Sequence, residues 1–232
     1  MTAVLETTDL SKTFTLHARG GLALPVFSGI NLSLAPGECL ALTGHSGSGK
    51  SSLLRCLYGN YSASSGDIRI RHEDQWVSLS AAAPRQVLEV RRHTLGYVSQ
   101  FLRVIPRVST LDIVAEPLRR LGVAADEARS QAAHWLARLN LHERLWHLPP
   151  ATFSGGEQQR VNIAHGLIAG HPVLLLDEPT ASLDADNRRV VVELIHAARA
   201  RGAAVIGIFH DDEVRAAVAN RCLDVENYRQ SN

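Results

Sequence analysis

The spacing of apolar residues changes twice along this chain. Up to about residue 100, short apolar runs bounded by glycine, proline and polar residues predict strands, while apolar positions between about 101 and 170 recur at helical spacing. Gly20–Pro25 is predicted to be a loop. The predicted strands are Val4–Phe14, Phe27–Leu34, Glu38–Leu42, Asp67–Arg71, Gln75–Leu79, Leu95–Ser99, Val173–Asp177 and Ala203–Phe209. The predicted helices are Ser52–Leu57, Arg85–Arg92, Leu111–Leu121, Ala125–Leu139, Glu157–Ala169 and Asp186–Ala200.

The order of these elements predicts an α/β fold with two kinds of sheet. Val173–Asp177 and Ala203–Phe209 flank a helical stretch, and such β-α-β alternation is typical of a parallel sheet. Asp67–Arg71 and Gln75–Leu79 alternate polar and apolar residues around a short turn, which predicts an antiparallel hairpin exposed on one face. We expect one domain over residues 1–232, with a core formed by 1–100 and 171–232, an antiparallel β arm, and an inserted α-helical subdomain over about 101–170.

Composition narrows the class of protein only slightly. The 232 residues carry 24 Lys and Arg against 23 Asp and Glu, so the balance does not predict nucleic acid or an acidic membrane as the main partner. Cys39, Cys56 and Cys222 lie far apart, which favours reduced, packed thiols in a cytoplasmic protein. No leader pattern and no apolar run of about 20 residues is present, so we expect no direct membrane insertion.

A glycine-rich loop follows the apolar run ending at Leu42. The spacing of Gly44, Gly49, Lys50 and Ser51 matches G-x-x-x-x-G-K-[ST], whose glycines turn backbone N–H groups toward phosphate oxygens at a helix N-terminus. Lys50 is expected to reach the β- and γ-phosphates, and Ser51 to ligate Mg²⁺. The alternative is a chance glycine–serine loop, which the flanking strand and helix disfavour. The predicted nucleotide-binding residues of the loop are Gly44, His45, Ser46, Gly47, Ser48, Gly49, Lys50, Ser51 and Ser52.

Two carboxylates end the buried strand that begins at Val173. At the C-terminal edge of a parallel sheet, such groups lie beside the phosphate loop of a P-loop protein. Asp177 is therefore predicted to hold Mg²⁺, and Glu178 to orient and polarise the attacking water. A solvated acidic pair is the alternative, but it would leave the metal without an acidic partner.

A third motif, Phe153–Arg160, stands between these two. With the phosphate loop and the acidic strand it resembles the signature of ATP-binding-cassette (ABC) ATPases, with Phe153 where Leu is more usual. The resemblance covers nearly the whole chain and implies a P-loop NTPase ABC nucleotide-binding domain that hydrolyses ATP with Mg²⁺. It also implies signature residues that contact the ATP of a partner subunit. These are Ser154, Gly155, Gly156 and Glu157.

Four further positions are assigned through the same resemblance. Gln100 resembles the glutamine that senses Mg²⁺ and water, and His210 matches the histidine that contacts the γ-phosphate. Asp184 belongs to the loop that follows the acidic strand and reaches the dimer partner. Phe14 is a candidate for stacking on adenine. His210 and Phe14 could instead be core residues, and for Phe14 this alternative is nearly as well supported.

The resemblance implies that two cassettes, identical or sister subunits, enclose ATP between them. It leaves three uses for the ATP: a membrane transporter, a soluble enzyme assembly or a nucleic-acid clamp. The clamp is disfavoured because this chain has no long coiled-coil insertion. Three segments resemble the cassette subunits of bacterial carbon–phosphorus lyase systems, which implies docking on lyase core subunits at the step that joins a phosphonate to ribose 5-triphosphate. These segments are Ser99–Arg107, Arg144–Leu148 and Gly207–Asp211.

Overall fold

Two sheets share the core of the protein. The computed structural model describes residues 2–16, 21–102 and 106–229. The strands are β1 (Leu5–Leu16), β2 (Leu22–Leu34), β3 (Cys39–Thr43), β4 (Ser65–His72), β5 (Gln75–Ser78), β6 (Leu95–Val98), β7 (Val173–Asp177), β8 (Ala204–Ile208) and β9 (Arg221–Asp224).

The larger sheet is parallel and has the order β6-β7-β8-β3-β9. Every residue of β7 and β8 is buried, because the sheet is covered on both faces. Leu174 and Leu176 pack into one hydrophobic cluster, whereas Val173 and Leu175 pack into the other. Because all strands of this sheet are parallel, their C-terminal ends lie at one edge of the sheet, with Asp177 at the end of β7 and Glu178 directly after it.

The smaller sheet is antiparallel, with the order β2-β1-β4-β5. The predicted hairpin β4–β5 is confirmed, and both turn residues, Glu73 and Asp74, have positive φ angles of 47° and 63°. The predicted loop before Phe27 is wrong within the described residues, since β2 begins at Leu22 and pairs Pro25 with Thr13. A proline is tolerated there because β2 is an edge strand.

Seven helices connect or cover the sheets in the part of the chain that the structure describes. The helices are α1 (Lys50–Leu57), α2 (Pro84–His93), α3 (Thr110–Arg120), α4 (Ala125–Arg138), α5 (Gly155–Leu167), α6 (Ala185–Ala200) and α7 (Asp212–Val218). Helices α3, α4, α5 and α6 pack on one face of the parallel sheet, and α1 packs with the antiparallel sheet on the other face. The described ranges also contain three short 3₁₀ turns, which are Glu143–Leu145, Pro150–Thr152 and Val225–Tyr228.

The α/β class with a parallel core and an antiparallel arm is therefore confirmed. Sequence reasoning missed the end of the chain, where α7 leads into β9 and β9 pairs with β3. The expectation of packed thiols holds for Cys39 and Cys56 and is wrong for Cys222, which is exposed. None of the helices within the described ranges has the length and apolarity needed to cross a bilayer.

Candidate nucleotide-binding and hydrolysis site

The phosphate loop joins β3 to α1 as predicted. Gly49 precedes α1 with a φ of 100°, and Gly44 has a φ of 124°, both in the left-handed region that favours glycine. The Lys50 ammonium turns back into the loop, where Nζ donates to the carbonyl oxygens of Gly44 at 2.7 Å and His45 at 2.8 Å. The loop thus surrounds the Lys50 ammonium, and Ser46 and Gly47 at the tip of the loop are exposed.

The C-terminal segment over residues 224–229 contacts this loop. Sequence reasoning did not anticipate that contact. His45 Nδ1 is hydrogen-bonded to the carboxylate of Glu226, and Arg229 Nη1 lies 3.2 Å from His45 Nε2. A Cβ atom at Gly44 would lie 3.1 Å from Asp224 Oδ1, so the segment passes close to the loop backbone. No motif links these positions, which are about 180 residues apart in the chain.

Asp177 ends β7 beside the loop. Its carboxylate accepts hydrogen bonds from Ser51 Oγ at 3.0 Å and from the Tyr97 hydroxyl at 3.1 Å. The side chain is 1% exposed, and this burial raises the pKa of Asp177 despite the opposing effect of the two hydrogen bonds. Burial also raises the pKa of Tyr97, so its hydroxyl is a donor at neutral pH.

Glu178 is the next residue along, and its backbone is strained. Its φ of 53° lies in the left-handed region, which non-glycine residues rarely adopt. Gln100 Nε2 donates to one carboxylate oxygen at 3.1 Å, and His210 Nε2 lies 2.7 Å from the other. Gln159 on α5 donates to the Glu178 and Pro179 carbonyl oxygens at 3.3 and 3.0 Å. The structure thus brings together Gln100, Glu178 and His210, three of the residues predicted from sequence.

Phe14 lies on β1 and is half-buried. Its ring meets the Tyr61 ring edge-on with centroids 5.3 Å apart, and the Lys12 ammonium lies 4.6 Å from the Phe14 centroid. Arg55 Nη1 donates to the Tyr61 hydroxyl at 2.8 Å. These contacts fix the ring in place, and adenine stacking by Phe14 stays a prediction.

The signature segment forms the start of α5. Ser154 caps the helix in a capping box, in which its backbone N–H donates to Glu157 Oε2 at 2.8 Å and its hydroxyl accepts from the Glu157 N–H at 3.4 Å. The Ser154 hydroxyl also donates to Glu157 Oε2 at 2.7 Å, and this hydrogen bond, together with the one from the Ser154 backbone N–H, lowers the pKa of Glu157. Ser154 and Gly155 are exposed, so the helix N-terminus faces outward. A Cβ atom at Gly156 would lie 2.8 Å from the carbonyl oxygen of Ser182.

Asp184 caps the next helix, α6. Its Oδ1 accepts from the Asn187 N–H at 2.8 Å, which lowers the pKa of its carboxyl. Ser182, two residues earlier, has a φ of 62° and packs near Gly155 and Gly156. The loop over 182–184 and the signature are therefore neighbours within one chain, and both have exposed residues.

The family of the chain follows from comparison with known proteins. A family model described as "ABC transporter" matches residues 27–181, which include the phosphate loop, the signature and the acidic strand end. The chain belongs to the ABC transporter family. It is thus an ABC ATPase, a cassette that hydrolyses ATP, as the order of its motifs predicted.

Named relatives of this cassette come from several transport systems. It is 39% identical to the lipoprotein-releasing system ATP-binding protein LolD of Maricaulis maris, over 91% of this chain and 89% of LolD. It is 37% identical to the macrolide export ATP-binding/permease protein MacB of Marinobacter nauticus, over 96% of this chain and 33% of that longer protein. The ABC transporter ATP-binding protein YtrE of Bacillus subtilis is 34% identical, over 91% of this chain and 90% of YtrE.

A solved structure resembles this cassette over nearly its whole length. It is the dimeric post-hydrolysis state of the ATP-binding cassette MJ0796 bound to ADP and Pi, with a TM-score of 0.85 and 27% identity, covering 96% of this chain and 95% of that one. These relatives, and MJ0796, are named as components of transport systems. They do not support the finer resemblance to carbon–phosphorus lyase subunits, although the ABC assignment itself is confirmed.

Three contributors to the site were missed from the sequence. Gln159 lies within the signature segment and could have been noted there, but Tyr97 and Glu226 carry no motif. Tyr97 is an ordinary aromatic residue of a predicted strand, so only its position beside Asp177 marks it.

Proposed function

We propose that this cassette binds MgATP on the Gly44–Ser52 loop and hydrolyses it with Glu178 as the base. The observation that carries the proposal is the convergence of Lys50, Asp177 and Glu178 at one edge of the parallel sheet. The Lys50 ammonium lies inside the loop, Asp177 ends the buried strand β7, and Glu178 is the next residue.

The residues present fit Mg²⁺. Ser51 Oγ and Asp177 Oδ1 lie 3.0 Å apart beside the phosphate loop, and oxygen donors of this kind are what the ion prefers. When bound, Mg²⁺ neutralises charge on the β- and γ-phosphates. Gln100, which also contacts Glu178, is the third proposed ligand.

The remaining roles belong to the protein's own groups. Lys50 pairs with the terminal phosphates, and Glu178 accepts a proton from the attacking water while Gln100 and His210 hold its carboxylate in place. His210 is exposed, which leaves it accessible to the γ-phosphate. Phe14 supplies a ring for adenine.

We further propose that two cassettes complete each site between them. The exposed N-terminus of α5 presents Ser154 and Gly155, and the positive end of a helix attracts a terminal phosphate. The existence of dimeric MJ0796 cassette structures supports this arrangement. Light scattering of the chain with MgATP, alone and with each candidate sister cassette, tests it. A persistent monomer in every mixture would contradict the proposed dimer, in which two cassettes enclose ATP between them.

The comparisons favour a membrane transporter of the lipoprotein-release or export type as the consumer of the ATP. The relatives named above are LolD, MacB and YtrE, and their identities to this chain lie within a narrow range, 34–39%. Because the three identities are similar, they support transport as the general function and do not select the cargo of one relative over that of another. Phe101, 75% exposed and next to Gln100, offers an apolar contact for a transmembrane partner.

A second candidate is an accessory ATPase of carbon–phosphorus lyase in phosphonate catabolism. Three segments favour it: Ser99–Arg107, Arg144–Leu148 and Gly207–Asp211. Residues 103–105 of the first segment lie outside the described structure, but Phe101 and Leu148 are exposed.

Affinity purification of the tagged chain from its own cells distinguishes the two uses. Permease subunits among the captured proteins would support transport, and lyase subunits would support the phosphonate role. A Phe101→Asp chain is the matched control, because a charge at this exposed position should abolish capture and leave nucleotide binding intact. Adjacent genes on the chromosome offer a second, independent test.

A further inference from the structure

Tyr97 lies on β6, three residues before Gln100, and its hydroxyl meets the carboxylate of Asp177. It donates to Oδ2 at 3.1 Å, while Ser51 Oγ donates to Oδ1 at 3.0 Å. Each carboxylate oxygen therefore has its own donor. Since Asp177 is 1% exposed, water has little access to replace either one.

The Tyr97 ring is itself held by neighbours on other elements. It stacks on Tyr58 at the end of α1, with centroids 4.9 Å apart and an interplanar angle of 24°. The guanidinium of Arg91 on α2 lies 4.5 Å from the Tyr58 centroid. A hydroxyl carried by a ring with so little freedom is well suited to fixing the orientation of its acceptor.

The pairing of β6 with β7 explains why Tyr97 reaches this carboxylate. Tyr97 is in register with Leu175, two residues before Asp177. Beyond the paired region, Gln100 donates to Glu178 at 3.1 Å. The end of β6 thus supplies one donor to each of two consecutive acids, one in the proposed metal site and the other the proposed base.

We propose that Tyr97 is a positioning residue for the metal-binding carboxylate of Asp177. By engaging Oδ2, its hydroxyl turns Oδ1 toward Ser51, where the two oxygens hold Mg²⁺. The inference rests on the proposed metal site. A purely structural role for Tyr97, in which a buried hydroxyl merely finds an acceptor, predicts a change in stability with no change in metal dependence.

Tyr97→Phe tests the proposal, because it removes one oxygen and keeps the stacked ring. The readout is the dissociation constant of ADP measured by calorimetry in Mg²⁺ and in EDTA, together with Mn²⁺ binding followed by electron paramagnetic resonance. We expect the metal-dependent gain in ADP affinity and the Mn²⁺ affinity to fall about tenfold or more, a typical loss for an outer-shell partner. ADP affinity in EDTA should not change.

Thr110→Val is the matched control, since it removes a buried hydroxyl that donates to the Leu148 carbonyl oxygen rather than to Asp177. It should keep the metal dependence of the unaltered protein. Wild-type metal dependence in Tyr97→Phe, with or without a lower melting temperature, would overturn the inference.

Ser51→Ala separates the two proposals. If Ser51→Ala loses the metal dependence and Tyr97→Phe keeps it, only the role of Tyr97 fails. If neither variant alters it, the metal site itself is misplaced and the inference falls with it.

Discussion

The Nε2 atom of His210 lies 2.7 Å from Glu178 Oε1, although the two residues are 32 positions apart and belong to the ends of different strands. β7 and β8 are adjacent and parallel, so residues that follow them emerge at the same edge of the sheet. The positive φ of Glu178, 53°, turns its side chain out of the strand alternation. Strain of this kind persists where the surrounding structure holds it, as Gln100 and His210 do here.

Glu178→Gln should abolish turnover and preserve ATP binding. The amide keeps the shape of the side chain but cannot accept a proton, and general-base assistance is typically worth about 10²–10⁴ in rate. Phosphate release measures the loss, and light scattering should show an ATP-dependent dimer that persists. Glu193→Gln, at an exposed position of α6, is the control. Full turnover in Glu178→Gln would remove Glu178 as the base.

Lys50→Ala should weaken nucleotide binding. Its ammonium is the charge inside the phosphate loop, and a hydrogen bond to a charged group contributes about 1.5–3 kcal/mol, or about 10- to 150-fold in affinity. Titration calorimetry with ADP measures the effect. Arg189→Ala removes a cation from an exposed site on α6 and should leave the affinity unchanged. Equal affinities in the two variants would exclude a phosphate contact by Lys50.

The two signature glycines should respond differently to alanine. At Gly156 the new Cβ lies 2.8 Å from the backbone oxygen of Ser182, which cannot move without shifting the loop, whereas at Gly155 the nearest atom is 3.8 Å away. We expect Gly156→Ala to lower the free energy of unfolding by about 1–3 kcal/mol. Gly155→Ala should leave it unchanged or raise it by up to about 1 kcal/mol, since alanine favours a helix. Urea unfolding compares them, and equal effects would contradict the close contact.

Asp177→Asn should stabilise the protein in the absence of nucleotide and metal. Burial raises the pKa of Asp177, so the folded state binds the proton more tightly than the unfolded state, and the ionised carboxylate costs stability at neutral pH. The gain from the neutral amide should therefore be largest at neutral pH and shrink as the pH falls through the raised pKa. Thermal unfolding in EDTA across pH 4–8 tests this direction.

Asp112→Asn is the control with the opposite sign. The Arg129 guanidinium holds the pKa of Asp112 below its ordinary value, so this carboxylate stabilises the fold above its unfolded pKa. Its replacement should lower stability at neutral pH, and the difference should disappear as the pH falls through the lowered pKa. A stability loss at neutral pH in Asp177→Asn as well would contradict the cost assigned to its burial.

Local patterns in the sequence were sufficient to predict most of the strands and helices. Strands such as β7 were predictable because burial on both faces demands an unbroken apolar run. Helices such as α5 were predictable because Ser154 and Glu157 form a capping box only three residues apart. The start of β2 was missed because Pro25 normally signals a loop, and only the position of β2 at a sheet edge makes it acceptable.

The nucleotide chemistry is already evident in the amino-acid sequence, because a phosphate loop and an acidic strand end are short-range patterns that few folds can use otherwise. The residues that surround those groups became known from the folded structure alone. Tyr97 meets Asp177 across 80 residues and Glu226 meets His45 across 181. Such contacts depend on which strands pair and in what register, and no local pattern in the amino-acid sequence specifies that pairing.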